Sequence, residues 1–165
     1  MRTLALPACI AMIAVVAPAQ DPGFNGAFKY VSDSGIEAAI EAAVKDMSFI
    51  KRPIARGRLK DTNPAYQKVA FAVSAQEISV QYDARNPIKV PADGRAVPWT
   101  REDGKTFQVS ARIDGGKLTQ TFKNDEGERT NVWQLGADRK LGLGVTVTSS
   151  SLPKPLTYSI QFKGA

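Results

Sequence analysis

The chain has no histidine and a single cysteine, Cys9, among its 165 residues. Without imidazole it lacks the base of Ser-His-Asp and Cys-His nucleophilic sites, and the commonest ligand for zinc, copper or iron. Cys9 falls within residues 1–19, which have the pattern of a cleaved signal peptide. Arg2 gives a short basic start, Leu4 to Val16 is an apolar run, and Ala17-Pro18-Ala19 supplies the small residues a signal peptidase accepts. The run contains Pro7 and is shorter than the roughly 20 apolar residues of a membrane-spanning helix, so no span is expected after cleavage. Loss of this leader would leave no disulfide, no thiolate ligand and no cysteine nucleophile. An exported domain of this size without disulfide staples points to a bacterial periplasmic or secreted protein. No metal and no cofactor is expected. The enzyme chemistry left open is a carboxylate pair such as Glu102 and Asp103 beside a tyrosine or lysine, and no spacing in the sequence announces one.

Charge is modest. Lys and Arg number 22 against 16 Asp and Glu, a net +6, one less without Arg2. Such an excess favours anionic partners and says little about fold. Export argues against nucleic acid as one of them.

What the chain does have is alternation. Phe107, Val109, Ala111 and Ile113 alternate with polar residues, as do Leu141, Leu143, Val145 and Val147, and then Leu156, Tyr158, Ile160 and Phe162. Val69, Phe71 and Val73, followed by Ile78, Val80 and Tyr82, repeat the pattern earlier. A period of two with one apolar face marks antiparallel strands that shield one side from water. Asp103-Gly104, Asp114-Gly115-Gly116 and Asp125-Glu126-Gly127 are hairpin turns, and Ala137-Asp138 closes another. Between Asn86 and Trp99, Pro87, Pro91 and Pro98 cannot donate to a ladder, so this section is edge strand, bulge or mouth loop. The expected fold is mainly β. It is a single domain over residues 20–165, an antiparallel up-and-down meander or barrel of about eight strands with one N-terminal amphipathic helix packed against it.

That helix is expected over 35–51. Ser34 and Glu37 have capping-box spacing, and Ile36, Ile40, Ala43, Val44, Met47 and Ile50 form one apolar stripe facing the core. Pro53 is expected to end it. The densest positive run follows, with Lys51, Arg52, Arg56, Arg58 and Lys60 uninterrupted by an acid. It reads either as an anion-binding surface for a phosphate, carboxylate or lipid head group, or as a solvated loop or edge strand whose charge discourages pairing.

Polar residues among apolar ones mark a candidate site. If Leu118 and Phe122 face inward, so does Gln120; if Trp133 does, it brings Asn131 and Arg129. A buried arginine is costly unless paired, so an inward Arg129 calls for a carboxylate from the protein or from a ligand. Tyr82, Phe107 and Trp133 would complete a pocket for an acyl or aromatic anion. The opposite register, with Val132 inward, leaves Arg129 in solvent.

The start Gly26-Ala27-Phe28, the Asp103-Gly104-Lys105 turn and a meander that fills the chain after a signal peptide resemble the small lipocalin-like proteins that bacteria export. The resemblance implies a calycin-like barrel and a non-enzymatic role, binding a small apolar or amphipathic molecule, with an anionic one among the candidates. Alternatives are an envelope interaction or scaffold protein that works through its basic surface around a solid barrel, and a carboxylate-based enzyme.

Overall fold

A computed structural model describes residues 23–165. The expected signal peptide and Cys9 lie outside the described residues. The alternating segments form ten antiparallel strands rather than about eight: β1 (Gly26–Asp33), β2 (Lys68–Val73), β3 (Glu77–Tyr82), β4 (Ile88–Pro91), β5 (Val97–Thr100), β6 (Thr106–Asp114), β7 (Lys117–Lys123), β8 (Gly127–Leu135), β9 (Lys140–Ser149) and β10 (Leu156–Gly164). The two extra strands come from the proline-containing section, which splits into β4 and β5. Apart from β4 and β5, which do not pair with each other, every strand pairs with its sequence neighbours, and β1 also pairs with β10. The ring therefore closes everywhere except between β4 and β5. Both carry a proline, Pro91 and Pro98, and a strand short of donors belongs on an edge.

The apolar alternation points inward. Val69, Ile78, Val80, Val109, Leu118, Trp133, Leu141, Leu143, Leu156, Ile160 and Phe162 are all buried, while Thr157, Gln161 and Lys163 of β10 face water. The greasy side thus lines the barrel rather than facing lipid. Side chains fill this interior. Trp133 stands in the middle, its ring centre 5.0 Å from Phe71 in an edge-on contact and 5.8 Å from Phe162. Burying the sheet's inner face this way is the main driving force of the fold.

The single helix expected over 35–51 is two helices, α1 (Ile36–Val44) and α2 (Lys51–Thr62). Ile36, Ile40, Ala43 and Val44 bury the α1 stripe, which packs on β10. The capping box does not form. Asp33 instead accepts the amides of Gly35 at 2.7 Å and Ile36 at 3.2 Å, and the Ser34 hydroxyl takes the amide of Ser159. The chain breaks at 45–50 because Ser48 can start a new helix, its hydroxyl accepting the Lys51 amide. Pro53 sits in the first turn of α2, where a missing N–H leaves no bond unmade; it opens a helix here and does not end one. The basic run is thus helical, neither loop nor edge strand. Ile50, expected in the buried stripe, is exposed.

Among the described residues no helix is long and apolar enough to cross a membrane, which says nothing of strands.

Two glycines give opposite expectations. A Cβ on Gly127 would lie 2.2 Å from the Thr148 carbonyl, so Gly127→Ala should destabilise by about 1–3 kcal/mol through forced overpacking. Gly57 has nothing within 4 Å of its would-be Cβ and sits inside α2, so Gly57→Ala should stabilise by about 0.5–1 kcal/mol. Urea unfolding midpoints of the two variants test both signs.

Candidate functional site

The inward register places Arg129, Asn131 and Trp133 of β8 on the inner wall, opposite Phe122, Gln120 and Leu118 of β7. Asn131, Gln120 and Trp133 are fully buried and Arg129 is half-buried. The alternative register, with Val132 inward, does not occur. From the opposite wall Tyr82 of β3 reaches across the barrel. Its hydroxyl donates to Gln120 Oε1 at 2.6 Å and accepts from Asn131 Nδ2 at 3.0 Å. Two buried donors, Gln120 Nε2 and Trp133 Nε1, find no acceptor among the described residues.

Arg129 lies nearer the barrel mouth, under the helix pair. Its Nε donates to Asn131 Oδ1 at 2.9 Å. One terminal nitrogen donates to Thr62 O at 3.2 Å and Asn63 Oδ1 at 3.0 Å; the other donates to the Tyr158 hydroxyl at 3.2 Å. Tyr158 in turn donates to Asn63 Oδ1 at 3.1 Å. Asn63 ends α2, and its Nδ2 donates to Leu59 O in the last turn. Arg129 therefore meets the negative end of the α2 dipole, where a cation is favoured. Every acceptor it has is neutral, and no carboxylate pairs with it among the described residues. Burial works against its charge, but the surrounding tyrosine oxygens, Tyr158 first, outweigh it and raise its pKa above the ordinary arginine value.

The structure brings Arg129, Asn131, Gln120, Tyr82 and Trp133 together. Phe107 sits apart. It is half-buried and stacked against Trp99 and beneath the Arg101 guanidinium, which is 5.1 Å from the ring centre. Asn63 and Tyr158 were missed as site residues. Tyr158 had a signal, a hydroxyl within the inward stripe of β10; Asn63, after a helix, had none.

The basic run is mostly spoken for. Arg56 pairs with Glu41, donating to Oε2 at 2.7 Å, and Lys60 pairs with Glu37 at 3.0 Å, both on α1. Arg52 caps the end of α1 by donating to Lys45 O and Met47 O. Lys51 and Arg58 remain exposed with no ion pair among the described residues. Beside Lys51 lie three exposed apolar side chains, Phe49 at 82%, Ile50 at 65% and Ile54 at 58% exposure.

The carboxylate pair suggested for catalysis does not converge. Glu102 faces Arg85 at 3.9 Å. Asp103 is gripped by Arg101, whose hydrogen bonds, helped by the Lys105 amide, lower its pKa to about 2. Neither acid adjoins the Arg129 cluster, and an Asp103 so held is ionised throughout the neutral range and is no proton donor.

A hollow of about 630 Å³ lies between the helix pair and the end of β1. Ile36, Ala38, Ile40 and Ala65 give it apolar walls, and Asn63 lines it on the side facing Arg129.

No protein-family model and no curated protein matches this chain. Among solved structures it is similar to the zebrafish ileal bile acid-binding protein complexed with cholic acid (15% identity, 86% of this chain and 98% of that one, TM-score 0.56). It is also similar to a Schistosoma mansoni fatty acid binding protein in complex with arachidonic acid (16%, 88% and 99%, 0.56), and to apo lipid binding protein 8 of Caenorhabditis elegans (13%, 90% and 100%, 0.56). At such identities the likeness is one of fold: the lipocalin-like barrel expected from the sequence is the architecture these carriers share.

Burial raises the pKa of both Tyr82 and Tyr158, with Arg129 acting in the opposite sense. A phenol whose folded pKa lies above its unfolded value of about 10 lends stability below that pH and loses it as pH rises through the folded value. These two phenols should therefore weaken the protein only above about pH 10, with their tyrosinates appearing together with unfolding. Absorbance at 295 nm alongside circular dichroism would show it, and Tyr82→Phe should shift the alkaline midpoint upward.

Proposed function

We propose that this chain is a non-enzymatic binding protein for a small amphipathic acid, whose carboxylate is received by Arg129 and Tyr158. The observation that carries this reading is a half-buried guanidinium inside a barrel with only neutral acceptors around it. Desolvating a charge is costly, and a carboxylate is the partner whose geometry matches a guanidinium fork. The raised pKa of Tyr158 keeps its hydroxyl protonated and able to donate to the same anion. Fold relatives crystallised with cholic acid and arachidonic acid, both carboxylic acids, support the ligand class. The expected signal peptide would place this carrier in the periplasm or outside a bacterial cell.

Isothermal titration with dodecanoate and dodecanol tests the reading. The acid should bind at least tenfold tighter than the alcohol. Arg129→Gln should weaken the acid by about 10- to 100-fold, the equivalent of about 1.5–3 kcal/mol for a hydrogen bond to a charged group, and leave the alcohol unchanged. Equal effects on both would remove Arg129 from the site.

A second reading follows from the helix hairpin. Phe49, Ile50 and Ile54 beside Lys51 and Arg58 form an exposed apolar patch with unpaired positive charge, suited to an anionic envelope surface. On this reading the packed barrel is a scaffold. Co-sedimentation with phosphatidylglycerol vesicles, lost in Phe49→Ser/Ile50→Ser and absent with phosphatidylcholine, would support it; equal partition to both lipids would not.

A further inference from the structure

The barrel interior is packed around Trp133, Phe71 and Phe162, yet Arg129 stands directly behind Asn63, and Asn63 lines the hollow outside. We propose that the acid's apolar body lies in this hollow, between α1, α2 and the end of β1, and that its carboxylate reaches Arg129 by displacing Asn63 and Thr62. This rests on the carrier reading above and adds where the ligand sits and what moves to admit it.

The hydrogen-bond inventory requires the displacement. A guanidinium has five N–H donors, and four of its hydrogen bonds are already made, to Asn131, Thr62, Asn63 and Tyr158. A bidentate carboxylate needs two adjacent donors, so at least one present partner must leave. Asn131 is the harder one to move. It is buried, and its amide is tied to Tyr82, which is tied to Gln120. Thr62 and Asn63 are the easier ones. Asn63 is buried too, but both residues end a helix that buries only Leu59 of its own span and whose ion pairs run to α1 and not to the barrel. The end-on face of Arg129, toward the hollow, is thus the face that opens.

The hollow suits the rest of the molecule. Its volume falls within the range of small-ligand sites, about 300–1,000 Å³. Two acids stand at its rim. Glu37 is paired with Lys60, and Asp33 stays ionised, its charge held by the Tyr30 hydroxyl and two amides at the start of α1. Lys60 lines the hollow as well, so an anion entering there meets a cation beside those two acids.

Two substitutions test the proposal, read by dodecanoate titration on the folded protein. Ala38→Trp fills the hollow from an exposed position on α1 without touching the core. It should weaken binding at least tenfold with the melting temperature unchanged. Asn63→Asp installs a carboxylate on Arg129 in place of the amide oxygen. It should abolish binding in protein that circular dichroism shows to be folded. Loss in Asn63→Asp with undiminished binding in Ala38→Trp overturns the hollow and leaves Arg129 as the acid site. Undiminished binding in Asn63→Asp overturns the displacement of Asn63. Absence of dodecanoate binding to the unaltered protein overturns both this proposal and the carrier reading.

Discussion

A guanidinium set among apolar side chains has to be solvated by the protein itself, and Arg129 draws on three separate parts of the chain to achieve it. Asn131 comes from its own strand, Tyr158 from β10, and Thr62 with Asn63 from the end of α2. Each group then has its own position fixed in return. Asn131 is held by Tyr82 and Tyr82 by Gln120, so the polar chain runs from the mouth of the barrel to the opposite wall. A buried polar network of this kind is worth having only when nearly every member is satisfied. Its two unpartnered members, Gln120 Nε2 and Trp133 Nε1, are neutral, and orphaned neutral donors cost less than an orphaned charge.

The helices are subordinate to this arrangement. α1 is held by hydrophobic burial against β10, with four side chains in the core. α2 fully buries only Leu59, with Ala55 partly buried against the core, so its place over the mouth leans on ion pairs to α1 and on the bonds its last residues make to Arg129 and Tyr158. Exposed ion pairs of that type are each worth little, from about 0 to 1 kcal/mol. The contacts at Thr62 and Asn63 therefore carry much of the anchoring to the barrel.

Barrel closure follows a different logic. Nine strand pairings hold a ring that opens only at β4 and β5. The prolines at 91 and 98 keep that seam from zipping up, because each removes a donor. Arg85 and Glu102, from the turns flanking the seam, face each other across it at 3.9 Å. Those turns belong to the rim, as does Phe107 beneath Arg101, which explains why an aromatic on the inward alternation of β6 does not join the interior site.

The barrel itself was legible in the chain. A two-residue period and glycine-containing turns are local, so Phe107–Ile113, Leu141–Val147 and Leu156–Phe162 declare their strands without reference to the rest; Gln120 shares a face with Phe122, and Asn131 and Arg129 with Trp133, but the alternation alone leaves open which face of β8 turns inward. What only the tertiary structure decided is what those polar residues touch. The partners of Arg129 at Thr62 and Asn63 are 67 and 66 positions away, and Tyr158 is 29 away; no local pattern encodes such meetings. The same holds for the basic run. Five cations in ten residues look alike in sequence, yet α1 takes Arg56 and Lys60 with its glutamates and Arg52 with its carbonyls, leaving Lys51 and Arg58. Pattern is set by neighbours along the chain, but the partner of a charge is set by whatever the fold brings within a few ångströms.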